Sequence, residues 1–163
     1  MGIRFVKIEI ESRNSIKARA NKPFPAHTAL ISITDSDNDF VSLKNKPEYL
    51  LRLKFDDVTE ELLDVSYSDL PPAEKAAAMA FARKHNMFND KQAEQVAEFV
   101  KSISGKAEAL ICQCEFGQSR SAGLAAAIRQ FLHGDGIEIF ADYNYFPNKM
   151  VYKKTIAALK KEL

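Results

Sequence analysis

The sequence lacks the features that mark several classes of protein. Only six glycines and six prolines occur among 163 residues, which excludes a collagenous or low-complexity chain. No apolar run approaches the roughly 20 residues that cross a bilayer. Residues 1–10 mix charges among their apolar positions, unlike a secretory signal. We therefore expect a cytoplasmic protein without a membrane partner.

Charge of one sign and cysteine are also scarce. Lys and Arg number 23 and Asp and Glu 22, so the net charge of +1 provides no general field to hold nucleic acid. The two cysteines, Cys112 and Cys114, are so close in sequence that a disulfide between them would be strained and would close almost no loop. Both are interpreted as thiols, and any anion-binding site must be local.

Hydrophobic residues make up 46% of the chain, which is enough for a sizeable core, and the length predicts a single domain over 1–163. Apolar segments rich in β-branched residues predict strands at 5–10, 29–34, 50–55 and 109–113. Because several of these are near-continuous apolar runs, they are typical of strands that a parallel sheet buries on both faces.

Helical patterns fill much of the remaining sequence. The predicted helices run from Asp69 to about Asn86, from Asn89 to Gly105, from Ser119 or Arg120 to Gly134, and from Asn148 to the last residue. The order of the elements predicts an α/β fold with a single, mostly parallel central sheet of about four to five strands and helices on both faces. In such folds, ligands bind beyond the carboxyl ends of the strands.

The segment that follows the last predicted strand combines residue types that suit phosphate chemistry. Cys114 stands at the strand end, Gly117 lies within the next loop, and Arg120 opens a helix. Successive N–H groups of a tight loop and a helix N-terminus bind a phosphate dianion, and glycine permits the loop to curl. Arg120 can hold two phosphoryl oxygens with its planar fork. These groups also favour a thiolate at Cys114, which would make it a nucleophile.

The segment from Cys114 to Arg120 resembles the signature loop of the cysteine-dependent protein tyrosine phosphatase superfamily, Cys-x5-Arg followed by Ser or Thr. Its Ser-Arg-Ser ending looks most like the compact dual-specificity branch. More weakly, residues 55–57, the helix from Asn89, the loop and residues 146–152 follow the order of bacterial tyrosine-phosphatase-like proteins. The resemblance covers roughly residues 28–160 and implies a phosphatase-like fold with this loop between the last strand and a helix.

By this resemblance, Cys114 would attack phosphorus, Arg120 would bind the phosphate, and the Ser121 hydroxyl would assist departure of the thiolate. The loop residues that would surround the phosphate are Glu115, Phe116, Gly117, Gln118 and Ser119. An aspartate after a strand would protonate the leaving oxygen; Asp56 and Asp57 are the candidates, and Asp57 is preferred. The resemblance implies neither a metal nor another cofactor.

Three features depart from the family pattern. Gln113 replaces the usual His, which removes an expected support for the thiolate, and Phe116 replaces a frequent Ala, which narrows the pocket mouth or makes it more apolar. The candidate acids also lie far before the cysteine, so residues 62–87 are expected to loop out between them.

The function predicted from this resemblance is a phosphomonoester hydrolase that forms a phosphocysteine and acts on a phosphorylated protein or a small phosphomonoester. The alternative is a catalytically weak phosphatase-like module that binds phosphorylated ligands, and sulfur transfer on a rhodanese-like domain ranks third.

Other chemistry-bearing residues receive simpler interpretations. The run from Asp35 to Asp39 begins like a calcium loop, but Phe40 and Lys46 replace its required Gly and Glu, so a solvated loop near the rim of the site is expected and no metal. Cys112 is interpreted as a small core residue rather than a redox partner of Cys114. The three histidines, His27, His85 and His133, lack the spacing of ligands.

Overall fold

The computed structural model describes residues 7–58, 70–84 and 86–162, and its strands form one parallel sheet. The strands are β1 (Lys7–Glu11), β2 (Thr28–Thr34), β3 (Tyr49–Lys54) and β4 (Ala109–Gln113). Their order across the sheet is β1-β4-β2-β3, and all pairs are parallel. The predicted parallel sheet is thus confirmed with four strands. Strand ends differ from the prediction by a residue or two, and residues 5 and 6 lie outside the described part.

Helices flank the strands in the chain. Those of the described residues are α1 (Arg13–Arg19), α2 (Pro72–Lys84), α3 (Asp90–Ile103), α4 (Arg120–His133), α5 (Ile137–Ala141) and α6 (Lys149–Glu162). The short helices α1 and α5 were not predicted, because so few residues contain no repeat of apolar positions. No helix in this part of the chain has the length and apolar character that a bilayer crossing requires.

The other four helices match predicted ones. The capping box at the start of α3 is confirmed, because the Asn89 side chain accepts from the Gln92 amide at 2.8 Å. Helix α2 accounts for much of the segment that was expected to loop out. The helix ends at Lys84, whereas the prediction placed its end at about Asn86. Its predicted cap, Asp69, lies outside the described residues, as do residues 59–68 and His85.

The two faces of the sheet are buried by different helices. Alternate residues of β2, namely Ala29, Ile31 and Ile33, belong to the larger core with α3, α4 and α6. Leu30 points to the opposite face, where it packs with Ile16 of α1. Every residue of β2 is buried, which explains why this central strand reads as a continuous apolar run. Helices on both faces are therefore confirmed.

Parallel pairing brings the carboxyl ends of all four strands to one edge of the sheet. The residues that follow them are Ser12 after β1, Asp35 after β2, Phe55 after β3 and Cys114 after β4. This edge is the place at which open parallel sheets bind ligands, so the fold places the Cys-x5-Arg segment where a ligand is expected.

Helix α1 provides a test of the second core. Ile16 is fully buried against Leu30 and Ile111. We expect Ile16→Ala to lower the free energy of unfolding by about 2–5 kcal/mol, because it leaves a cavity under the helix. Lys17→Ala, an exposed change on the same helix, is the matched control and should change stability by less than about 0.5 kcal/mol. Urea denaturation checks both; equal losses would contradict this packing.

Candidate active site

The Cys-x5-Arg segment forms the loop between β4 and α4, as predicted. Cys114 directly follows β4 and is only 2% exposed, and Arg120 is the first residue of α4. The Cys114 amide donates to the Glu11 carbonyl oxygen at 3.3 Å, and the Arg13 amide donates to the Glu115 carbonyl oxygen at 3.0 Å. Backbone hydrogen bonds from the junction of β1 and α1 therefore hold the start of the loop.

Gly117 is required by both the conformation and the crowding of this loop. Its φ is 67°, in the left-handed region. A Cβ at this position would lie 2.8 Å from the carbonyl carbon of Glu11 and 2.8 Å from the nitrogen of Ser12. Both contacts are with backbone atoms, which cannot move aside as the end of a side chain could.

The Ser121 hydroxyl lies beside the Cys114 sulfur. The Sγ and Oγ atoms are 3.0 Å apart, and both side chains are buried. Ser121 stands in the first turn of α4, so the helix holds its hydroxyl in place. At this distance the hydroxyl can donate a hydrogen bond to a thiolate and stabilise its charge.

Arg120 is buried, at 4% exposure, and two strand ends hold its guanidinium. Nη1 donates to the Phe55 carbonyl oxygen at 2.7 Å and pairs with Asp35 Oδ1 at 2.7 Å. Nε is buried without a hydrogen-bond partner among the described residues. Because Nη1 carries both contacts, Nε remains able to donate to an anion in the loop.

The run from Asp35 to Asp39 is a loop after β2 whose later residues are exposed, as expected, but Asp35 also makes a contact in the site that was not predicted. Its side chain is 38% exposed, yet it forms the ion pair with Arg120. Asp35 immediately follows β2, and β2 lies next to β4 in the sheet. The pairing of these strands brings the carboxylate to the guanidinium.

The two candidate acids have different surroundings. Asp57 Oδ1 accepts from the Ser119 hydroxyl at 2.8 Å and from Asn148 Nδ2 at 2.9 Å, so this carboxylate lies against the loop. Asp56 instead accepts from the amide and hydroxyl of Ser36 and from the Asn86 amide. Asp56 thus connects the segment after β2 to the segment before α3.

Gln113 occupies the position before the cysteine and is fully buried. Its Oε1 accepts from the Ser32 hydroxyl at 2.5 Å, and its Nε2 donates to the Cys114 carbonyl oxygen at 3.0 Å. Ser32 is the register partner of Gln113 in the pairing of β2 with β4. The neutral Gln113 amide thus connects Ser32 of β2 to the Cys114 backbone. It adds no positive charge near the Cys114 sulfur.

Aromatic side chains stand at the rim of the loop. Phe116 is 76% exposed and Phe146 is 72% exposed. The Phe146 amide donates to the Gln118 carbonyl oxygen at 2.8 Å, which ties the segment before α6 to the loop. Most of the Phe116 side chain faces solvent.

Cys112 is a core residue. It is fully buried and belongs to the larger core, and burial, with a smaller effect of nearby Cys114, raises the pKa of its thiol. A thiol in this state is a poor nucleophile, which favours the structural interpretation of Cys112.

Sequence reasoning missed three contributors to the site: Ser32 and Asp35, which were assigned no role there, and Asn148, which was predicted only as a helix cap. Ser32 could have been noticed as a polar residue inside an apolar strand, and Asp35 as a carboxylate directly after a strand. Neither signal identifies its partner, because that requires the order of the strands.

No family model matches the chain, and no curated protein matches it. A crystal structure of PTPMT1 aligns at 14% identity over 99% of this chain and 96% of that chain, with a TM-score of 0.49. A crystal structure of PTPMT1 in complex with PI(5)P aligns at 14% identity over 83% of this chain and 78% of that chain, with a TM-score of 0.47.

The crowding at Gly117 can be measured. We expect Gly117→Ala to lower the free energy of unfolding by about 1–3 kcal/mol more than Gly134→Ala. Gly134 has a similar φ of 72° but open space around it, so its variant reports the conformational cost alone. Urea denaturation of both variants gives the difference, and equal losses would mean that the backbone of β1 does not constrain the loop.

The state of Cys112 predicts its reactivity. In the folded protein at neutral pH, iodoacetamide should leave Cys112 unmodified, because the thiol is buried and protonated. In urea it should react fully. Peptide mass spectrometry distinguishes Cys112 from Cys114, and modification of Cys112 in the native protein would disprove its burial.

Proposed function

We propose that this chain is a phosphomonoester hydrolase that acts through a phosphocysteine intermediate. The observation that supports it best is the curled loop, in which the Cys114 sulfur lies 3.0 Å from the Ser121 hydroxyl and Arg120 is buried at the loop's end. Nucleophile, stabilising hydroxyl and anion-binding cation are thus supplied by one short segment.

In the first step, the phosphate oxygens accept from backbone N–H groups of the loop and from the Arg120 guanidinium. The Cys114 thiolate forms a bond to phosphorus, and the bond from phosphorus to the ester oxygen breaks. Asp57 transfers its proton to that oxygen, so the alcohol leaves neutral. The contact of Asp57 with the loop favours it over Asp56 for this role.

In the second step, water attacks the phosphocysteine. Asp57, now a carboxylate, accepts the proton of the water, and the bond from phosphorus to sulfur breaks. Ser121 donates a hydrogen bond to the sulfur as it becomes a thiolate. The products are inorganic phosphate and the starting enzyme.

The loop suggests the kind of substrate. Between Cys114 and Arg120 it contains no Lys or Arg and one carboxylate, Glu115, while Phe116 stands exposed at its rim. A phosphomonoester on a protein side chain or on a small organic molecule fits these surroundings better than a ligand with several phosphates, which would need further cations.

A second candidate is a phosphate-binding module with little turnover. The contacts of Arg120 and Gln113 favour it: the Asp35 carboxylate neutralises part of the guanidinium charge, and Gln113 supplies no cation to stabilise the thiolate. This module would bind phosphorylated ligands through Arg120 without hydrolysing them.

Hydrolysis of p-nitrophenyl phosphate from pH 5 to 8, with chelator present, tests the proposal. Cys114→Ser should abolish turnover, because the nucleophile is lost, and Arg120→Lys should lower kcat by roughly 10²–10³-fold, because a bidentate donor is lost. Arg129→Lys, on the same helix but paired with Asp135, is the matched control and should retain normal rates.

The outcomes separate the two candidates. Normal turnover in Cys114→Ser would disprove a phosphocysteine. If the intact protein binds phosphate in an Arg120-dependent way but hydrolyses nothing, it is the binding module.

A further inference from the structure

Asn148 lies where the last helix meets the candidate active site, and all of its polar groups are engaged. The side chain is 1% exposed, and Nδ2 donates to Asp57 Oδ1 at 2.9 Å and to the Val58 carbonyl oxygen at 3.0 Å. Oδ1 accepts from the Val151 amide at 3.1 Å, which caps α6. The Asn148 amide also donates to the Ser119 carbonyl oxygen at 3.0 Å.

Ser119, in the loop, also contacts the Asp57 carboxylate. Its hydroxyl donates to Asp57 Oδ1 at 2.8 Å, although Ser119 is the N-cap of α4 and its hydroxyl could have capped that helix. Asp57 Oδ1 therefore receives two donors from two different elements. Oδ2 accepts no hydrogen bond from the described residues.

Capping alone does not explain these contacts. A helix N-cap needs only a side-chain oxygen, which Ser, Thr or Asp provide as well. Asn89 shows the simpler case, because its oxygen caps α3 and its side chain is exposed. At Asn148, by contrast, the buried amide N–H groups point at Asp57 and Val58, so the amide performs a second task.

We propose that Asn148, together with Ser119, is a positioning residue that holds Asp57 against the phosphate loop and leaves Oδ2 to carry the transferred proton. This inference rests on the proposed function. Donors on Oδ1 favour a proton on Oδ2, because Oδ1 has its lone pairs occupied. The segment after β3 is thereby fixed to both α4 and α6 before any substrate binds.

The expected signature is a dependence on the leaving group. General-acid catalysis matters most when the leaving alcohol is a weak acid, and it contributes about 10²–10⁴-fold. We therefore expect Asn148→Ser, which keeps the cap but removes the N–H donors, to lower kcat about 10–100-fold with phenyl phosphate. With p-nitrophenyl phosphate, whose leaving group is more acidic, the loss should stay below about 3-fold.

Two further variants isolate the effect. In an Asp57→Asn background, Asn148→Ser should cause no additional loss, since the residue acts through Asp57. Asn89→Ser makes the same exchange at the cap of α3 and should leave both rates unchanged. An equal loss with the two esters, or a loss that persists in the Asp57→Asn background, would overturn the inference while the proposed function stands.

Amide hydrogen exchange gives an answer that does not depend on turnover. The Val58 amide, in the segment after β3 that contains Asp57, donates to the Asp56 carbonyl oxygen at 2.9 Å. We expect its exchange to be about 10-fold faster in Asn148→Ser and unchanged in Asn89→Ser. Equal exchange in the intact chain, Asn148→Ser and Asn89→Ser would overturn the inference, even if no ester is hydrolysed. If the intact chain is inactive but the exchange rates differ as expected, the proposed function is overturned and the positioning of Asp57 stands.

Discussion

The parallel pairing of all four strands is the constraint on which the candidate site depends. Because each strand ends at the same edge, Ser12, Asp35, Phe55 and Cys114 lie near one another although they are distant in sequence. An antiparallel neighbour would send every second end to the opposite edge. Helix α1, between β1 and β2, and helix α3, between β3 and β4, pack on opposite faces of the sheet, so these parallel connections contribute to both cores as well as to the site.

The burial of the Arg120 guanidinium is an electrostatic cost of this arrangement. Removing a charge from water is unfavourable unless it is paired and hydrogen-bonded. The structure offsets the burial of Arg120 with the Asp35 carboxylate and the Phe55 carbonyl, both at 2.7 Å. These partners directly follow β2 and β3, so the stability of the charged group depends on the sheet that positions them. Under the proposed function, a bound phosphate would accept hydrogen bonds from the remaining N–H groups of the guanidinium.

The sequence predicted the parts of the molecule that are local. The Cys-x5-Arg loop, the capping box at Asn89 and the continuous burial of β2 each arise from neighbouring residues, and all three agree with the structure. Helix α1 could not be foreseen, because it buries one residue, Ile16, and shows no periodicity. The pairing of Asp35 with Arg120 depends on strand order, which composition and spacing do not encode.

Two buried side-chain amides connect neighbouring elements at the candidate site. Gln113 connects Ser32 to the Cys114 carbonyl, and Asn148 connects Asp57 to α6. An amide does not ionise in the physiological range, so these supports keep their geometry when the pH changes. A histidine at position 113 would instead change charge near neutral pH. Neither of these two amide supports therefore adds a pH dependence of its own to the site.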